Sequence, residues 1–223
     1  GRDPLAHGLD ATEEVLAALE DESPLVRTTA AKVLGSVEVY HELVAADPLI
    51  DLLDDPDRDV RFAAAEALTV TTDATVVDDV LPYALADDPG VRAAGAVGLY
   101  HALARVTYEF APAQVEALFE AFSATATDGD GTGTDDEVAR EYLLSAITRG
   151  AATRDLAALD ANWTKILVAA LDDASISVSG QAAALLGHVD NETARSALRD
   201  ARESHSDERV QDAAAEALAD GAE

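Results

Sequence analysis

The 223-residue chain has no cysteine, no methionine and one tryptophan, and aromatic residues make up only 4% of it. Without cysteine it can form neither disulfides nor thiolate metal sites. No apolar run approaches the ~18 residues that mark a membrane span. The longest charge-free stretch, Ala174–Val189, is interrupted by serine, glutamine and histidine. The opening "GRDPLAHGLD" lacks a basic region followed by an apolar one, so it does not read as a secretory signal. Gly1 reads as a remnant of cloning, which leaves open a signal or domain removed upstream. A cytoplasmic placement is expected.

Lysine is almost absent too, confined to Lys32 and Lys165. Against 15 basic residues stand 44 acidic ones, for a net charge of −29. Nucleic acid is therefore not expected as a partner, because its affinity for proteins comes from Lys and Arg neutralising phosphates. The acids are spread along the whole chain and not gathered in one block. Such a distribution reads as a surface adapted to a salt-rich cytoplasm, where a screening length of ~3 Å at molar salt removes self-repulsion. The composition resembles that of haloarchaeal proteins.

Apolar residues still reach 48%, and alanine dominates them. Alanine loses no side-chain entropy in a helix, so the pattern predicts closely approaching helices with few large side chains between them. The stretch "AAAEAL" occurs at Ala63–Leu68 and again at Ala213–Leu218, each time after Val-Arg or Val-Gln. Aligned on that valine, Val26, Val60, Val91, Val138, Val178 and Val210 open six helical stretches, spaced by 34, 31, 47, 40 and 32 residues. An acidic turn precedes them. Leu19-Glu20-Asp21, Leu53-Asp54-Asp55 and Leu171-Asp172-Asp173 lie seven residues before the valine, and Leu85-Ala86-Asp87-Asp88 is one residue shorter. The turn acids can cap the second helix, and Pro24, Pro56 and Pro89 break the first.

Helix-turn-helix units at this period predict an all-α, right-handed α-solenoid of about six repeats in one domain, residues 1–223, because one pair alone cannot bury both apolar faces. The pattern L-[DE]-D followed by VR..AA..L resembles HEAT repeats. The resemblance implies a ladder between repeats built from the turn aspartate and the arginine after valine, residues matched by Asp21/Arg27, Asp55/Arg61 and Asp88/Arg92. Ser179 and Gln211 replace that arginine in the last two units, so the ladder is expected to end after the third. It also implies that second helices line an inner, concave surface.

The fourth unit carries the loop 124–136, "ATATDGDGTGTDD", read as solvated and removable. Asp128, Asp130, Thr132 and Gly133 fit the start of a calcium-binding loop, but Ala139 stands where a bidentate glutamate is needed. His41-Glu42 resembles a dyad of the di-iron deoxyhypusine hydroxylase family, which needs several such dyads. The chain has one. No cofactor, metal or catalytic residue is assigned.

Counting 100° per residue from each valine, offsets +2 and +6 face away from the core. They are polar in the terminal units (Thr28, Lys32, Asp212 and Glu216) but largely apolar or small in the central ones, including Phe62, Val97 and Leu144. The expected role is a non-enzymatic interaction scaffold that binds a protein or peptide on its concave face, through Phe62, Val97, Arg140 and Leu144. Burial against neighbouring helices is the competing reading of these positions. Two other functions stay open: a metal-binding or enzymatic repeat protein using His41, Glu42 and the loop, and an acidic mimic of nucleic acid occupying a basic protein. If the acids are an adaptation to salt, helicity and melting temperature should both rise from dilute buffer towards molar KCl. Circular dichroism across a salt series checks this.

Overall fold

The structure, a computed structural model, describes residues 13–36, 46–125, 134–151, 156 and 161–220, and these contain helices and no strand. His41, Glu42 and residues 126–133 of the Gly/Thr/Asp loop lie outside them. Contacts cluster in two compact units, Gly1–Tyr108 and Glu109–Glu223.

In the first unit, residues 13–18 are helical and lead by a turn into α1 (Pro24–Ser36). Then α2 (Asp47–Asp51) tightens into a 3-10 turn at Leu52–Asp54 and precedes α3 (Arg58–Ala67). The third pair is α4 (Thr75–Ala84) and α5 (Pro89–Ala102). The second unit holds α6 (Pro112–Ala124) and α7 (Thr134–Gly150), α8 (Ala161–Ala170) and α9 (Ile176–Gly187), and α10 (Glu192–Ser204) and α11 (Glu208–Asp220). Each repeat valine thus sits in a second helix, and the fold is an α-solenoid. Its second helices pack on one another, α1 on α3 on α5 in one unit and α7 on α9 on α11 in the other. First helices flank them, with α4 on α5, α8 on α9 and α10 on α11.

The helix starts follow from the turn residues. Asp57 accepts from the backbone N–H of Asp59 at 2.9 Å and of Val60 at 3.3 Å, and Asp88 accepts from that of Val91 at 2.9 Å. These bonds satisfy donors that have no partner within the helix. The preceding turn acids brace the loop instead, Asp21 accepting from Ser23 N–H, Asp55 from Asp57 N–H and Asp173 from Ser175 N–H, each at 2.8 Å.

In five of the six units the residue after the valine closes the turn from above; in the fourth that residue is Ala139, which has no side-chain donor. Arg27 donates to the Asp21 carbonyl at 2.8 Å, Arg61 to that of Asp55 at 2.9 Å, and Arg92 to that of Ala86 at 2.9 Å. Ser179 Oγ donates to the Asp173 carbonyl at 3.1 Å, and Gln211 Nε2 to the His205 carbonyl at 2.7 Å. Every one of these bonds reaches back six residues. Serine and glutamine therefore keep the clamp that arginine makes elsewhere.

The rungs run between repeats, as the resemblance implied, but reach further along the chain than expected. Within a repeat, Arg27, Arg61 and Arg92 bond turn carbonyls. The carboxylate pair crosses to the next repeat: Arg27 holds Asp55 through Nε at 2.8 Å and Nη2 at 2.9 Å. The ladder also does not end at the third unit, because Arg140 pairs with Asp173. Ala86 stands where Asp55 and Asp173 stand, and there the Arg61 guanidinium lies beside Gly90 and Asp88, in space that a β-carbon on Gly90 would fill.

Small residues set the spacing of the stack. A β-carbon added at Gly35 would lie 2.9 Å from Ala67 Cα, and one at Gly187 would lie 2.9 Å from Ala217 Cβ. The two joints occupy the same places in their repeats, one in each unit. At Gly95 the β-carbon would meet the backbone N of Ala84 at 2.2 Å, whereas at Gly180 nothing lies within 4 Å. Gly95→Ala should therefore destabilise the fold by about 1–3 kcal/mol or more. Gly180→Ala, inside α9, should stabilise it by about 0.5–1 kcal/mol. Thermal denaturation of the two variants checks both signs.

Candidate interaction surface

The sequence-predicted surface residues divide by environment. Phe62 is half-exposed on α3, one turn after Arg58, whose guanidinium carbon lies 4.4 Å from the ring centroid. Exposed Glu66 follows one turn on, so Arg58, Phe62 and Glu66 form a stripe along one face of the helix. Such a stripe offers an aromatic face, a cation and an anion to solvent.

Val97 and Leu144 do not face solvent, being 3% and 0% exposed. The 100° count separates two sides of a helix but knows nothing of its neighbours. Helix α5 packs against α3, α4 and the 3-10 turns at Leu52–Asp54 and Leu68–Val70, and Gly90 and every residue from Arg92 to Leu99 are buried. Helix α7 packs against α6 and α9, with Ser145 donating to Gln181 Oε1 at 3.0 Å. For these two positions the packing alternative describes the structure. Arg140 is half-buried and paired with Asp173. Burial pulls its guanidinium below the ordinary value, opposed by the charges of Glu137 and Asp136. It serves as a rung of the ladder.

Two surface clefts went unread in the sequence. One, of about 310 Å³, is lined by Asp54, Pro82, Tyr83, Ala86, Asp88 and Val91 in the first unit. Burial raises the Tyr83 phenol above its ordinary pKa, and the charges of Asp51 and Asp54 raise it further. The other, of about 500 Å³ in the second unit, is lined among others by Val168, Leu171, Asp172, Asp200, Ala201 and His205. There the His205 ring accepts from the Asp207 N–H at Nδ1 (3.0 Å), which places the proton on Nε2. That Nε2–H donates to the Leu171 carbonyl at 3.1 Å and lies 3.9 Å from Asp172. Both clefts lie between the ends of successive first helices. The signal for them was the L-[DE]-D motif, read only as a turn marker.

Among the described residues no three or more His, Asp or Glu side chains are grouped to hold a metal ion. No helix of the described residues is long and apolar enough to cross a membrane.

The family model for HEAT repeats matches residues 5–69 and 46–128, together more than half of the chain. The chain belongs to the HEAT-repeat family. None of the curated proteins matches it. Among solved structures, an engineered protein superimposes on these HEAT repeats with a TM-score of 0.61 at 19% identity, over 95% of this chain and 96% of its own. A designed armadillo repeat protein matches with 0.59 at 20% identity, over 93% and 98%. Another, solved in complex with the peptide (KR)4, matches with 0.56 at 19% over the same shares. At these identities the likeness concerns the fold.

The burial difference among the HEAT-repeat side chains is measurable. Leu144→Ala should cost about 2–5 kcal/mol, as for other fully buried leucines. Phe62→Ser removes a half-exposed ring and its exposed cation–π contact, and should cost about 1 kcal/mol. Urea denaturation of both variants checks the order.

Proposed function

We propose that this HEAT-repeat protein is a non-enzymatic scaffold that binds another protein or a peptide. The observation that carries the reading is Phe62, an aromatic ring held half-exposed at an outward offset of α3 with Arg58 over its face. An aromatic side chain flanked by charge is the type of anchor that dominates protein interfaces. Val97 and Leu144 are buried and Arg140 is half-buried in its pair with Asp173, so the contact residue of the four is Phe62. A fold shared with a designed armadillo repeat protein solved in complex with (KR)4 supports a peptide as one form of partner. The charge of −29 argues against nucleic acid.

The test is partner capture from a lysate kept at high salt, with wild type and Phe62→Ser compared. Loss of a captured protein with the melting temperature nearly unchanged is the expected outcome. Undiminished capture, or a variant that fails to fold, would remove Phe62 as the anchor. A steep fall of affinity with rising salt would favour instead the mimicry of nucleic acid, whose binding rests on long-range charge.

A further inference from the structure

The two clefts are the same place in two repeats. The six-residue clamp sets the equivalence: Arg92 bonds the Ala86 carbonyl as Gln211 bonds that of His205, so Ala86 and His205 correspond. By the same register Pro82 corresponds to Ala201, and Asp54 to Asp172, each being the middle residue of its Leu-Asp-Asp. In both places a carboxylate stands at the end of one first helix, beside the small or apolar floor of the next. Helix C-termini carry partial negative charge, so carbonyls and carboxylate together attract a cationic N–H donor.

In the second unit the chain supplies an N–H donor itself. His205 places its Nε2–H on the Leu171 carbonyl, with Asp172 near by. In the first unit Ala86 has nothing to offer. The groove beside it is open, and its walls are the Tyr83 ring and the Pro82 ring. Asp54 is exposed and makes no hydrogen bond or ion pair to another described residue. Asp88 is less available, since it caps α5 and has the Arg61 guanidinium at its side. Two carboxylates with an aromatic and a proline do not make the multi-oxygen cage a divalent cation requires. They do suit a flat cation with an apolar stem.

We propose that the cleft between the 3-10 turn at Leu52–Asp54 and the C-terminal end of α4 binds an arginine side chain of a basic peptide segment. Its guanidinium pairs with Asp54 and lies against Tyr83. Arginine is favoured over lysine because the planar fork can take both carboxylate oxygens and stack on a ring at once. The inference deepens the scaffold reading and rests on it, although it concerns a different face from Phe62.

The test uses the whole chain and a short fluorescent peptide of alternating arginine and glycine, with binding read by anisotropy. At about 1 M KCl the screening length is ~3 Å, so the net charge of the chain contributes little and contact pairs remain. Asp54→Asn should weaken binding about tenfold, the loss of one charge-assisted pair. Glu66→Gln removes the same charge on α3 and should change it by less than about twofold. Ala86→His, which would offer this place the N–H donor that His205 offers the Leu171 carbonyl, should weaken binding about tenfold by competing with the guanidinium. Circular dichroism confirms that each variant folds.

Equal effects of Asp54→Asn and Glu66→Gln would overturn the proposal, as would equal binding of a citrulline or lysine version of the peptide. So would a wild-type chain that binds no arginine peptide. None of those results touches the Phe62 experiment, so the scaffold reading can stand while this one falls.

Discussion

One short bond organises five of the six repeats: the side chain just after the repeat valine reaches back six residues to a turn carbonyl. It ties the start of the second helix to the end of the first and satisfies a carbonyl that the first helix leaves without a partner. With the turn closed, Val60, Val178 and Val210 are buried in the core, and the Asp55 and Asp173 carboxylates are turned to the neighbouring repeat. Arg27 uses the same guanidinium for both tasks, two turn carbonyls in its own repeat and the Asp55 carboxylate in the next. Local turn geometry and repeat-to-repeat register are thus set by a single residue.

The clamp also explains which substitutions the repeat tolerates. What it needs is a hydrogen-bond donor of sufficient reach, and Arg61, Arg92, Ser179 and Gln211 all provide one. What arginine adds is the crossing pair. Where the repeat behind has serine at the clamp, as Ser179 does, the next turn carries His205 in place of an aspartate. Where the turn has lost its carboxylate at Ala86, the incoming Arg61 settles against a glycine. Clamp and rung are therefore separable. The first is required for the turn, and the second reinforces the stack.

This separation accounts for what could be read from the letters alone. The alternation of helix and acidic turn and the six valines were legible, because each depends on residues close in sequence. The end of the ladder was misjudged, because the later rung comes from Arg140, two residues after its valine and so outside the Val-Arg motif. Val97 and Leu144 were placed outward by a count that sees one helix axis, whereas burial depends on all the helices around it. Phe62 kept part of its expected exposure. The clefts at Asp54 and Asp172 were not legible, because their walls come from helices some thirty residues apart that meet only in the folded stack.

The glycine–alanine joints carry a consequence of another kind. Gly35 against Ala67 and Gly187 against Ala217 are one docking geometry written twice, far apart in the gene and in separate units. A repeat ending in such a glycine can receive any repeat that presents the matching alanine, whichever it followed originally. Duplication or exchange of a whole helix pair at these points leaves the glycine–alanine seam already complementary. The length of such a protein is then free to drift by recombination, one repeat at a time, without a fresh interface having to arise at each step.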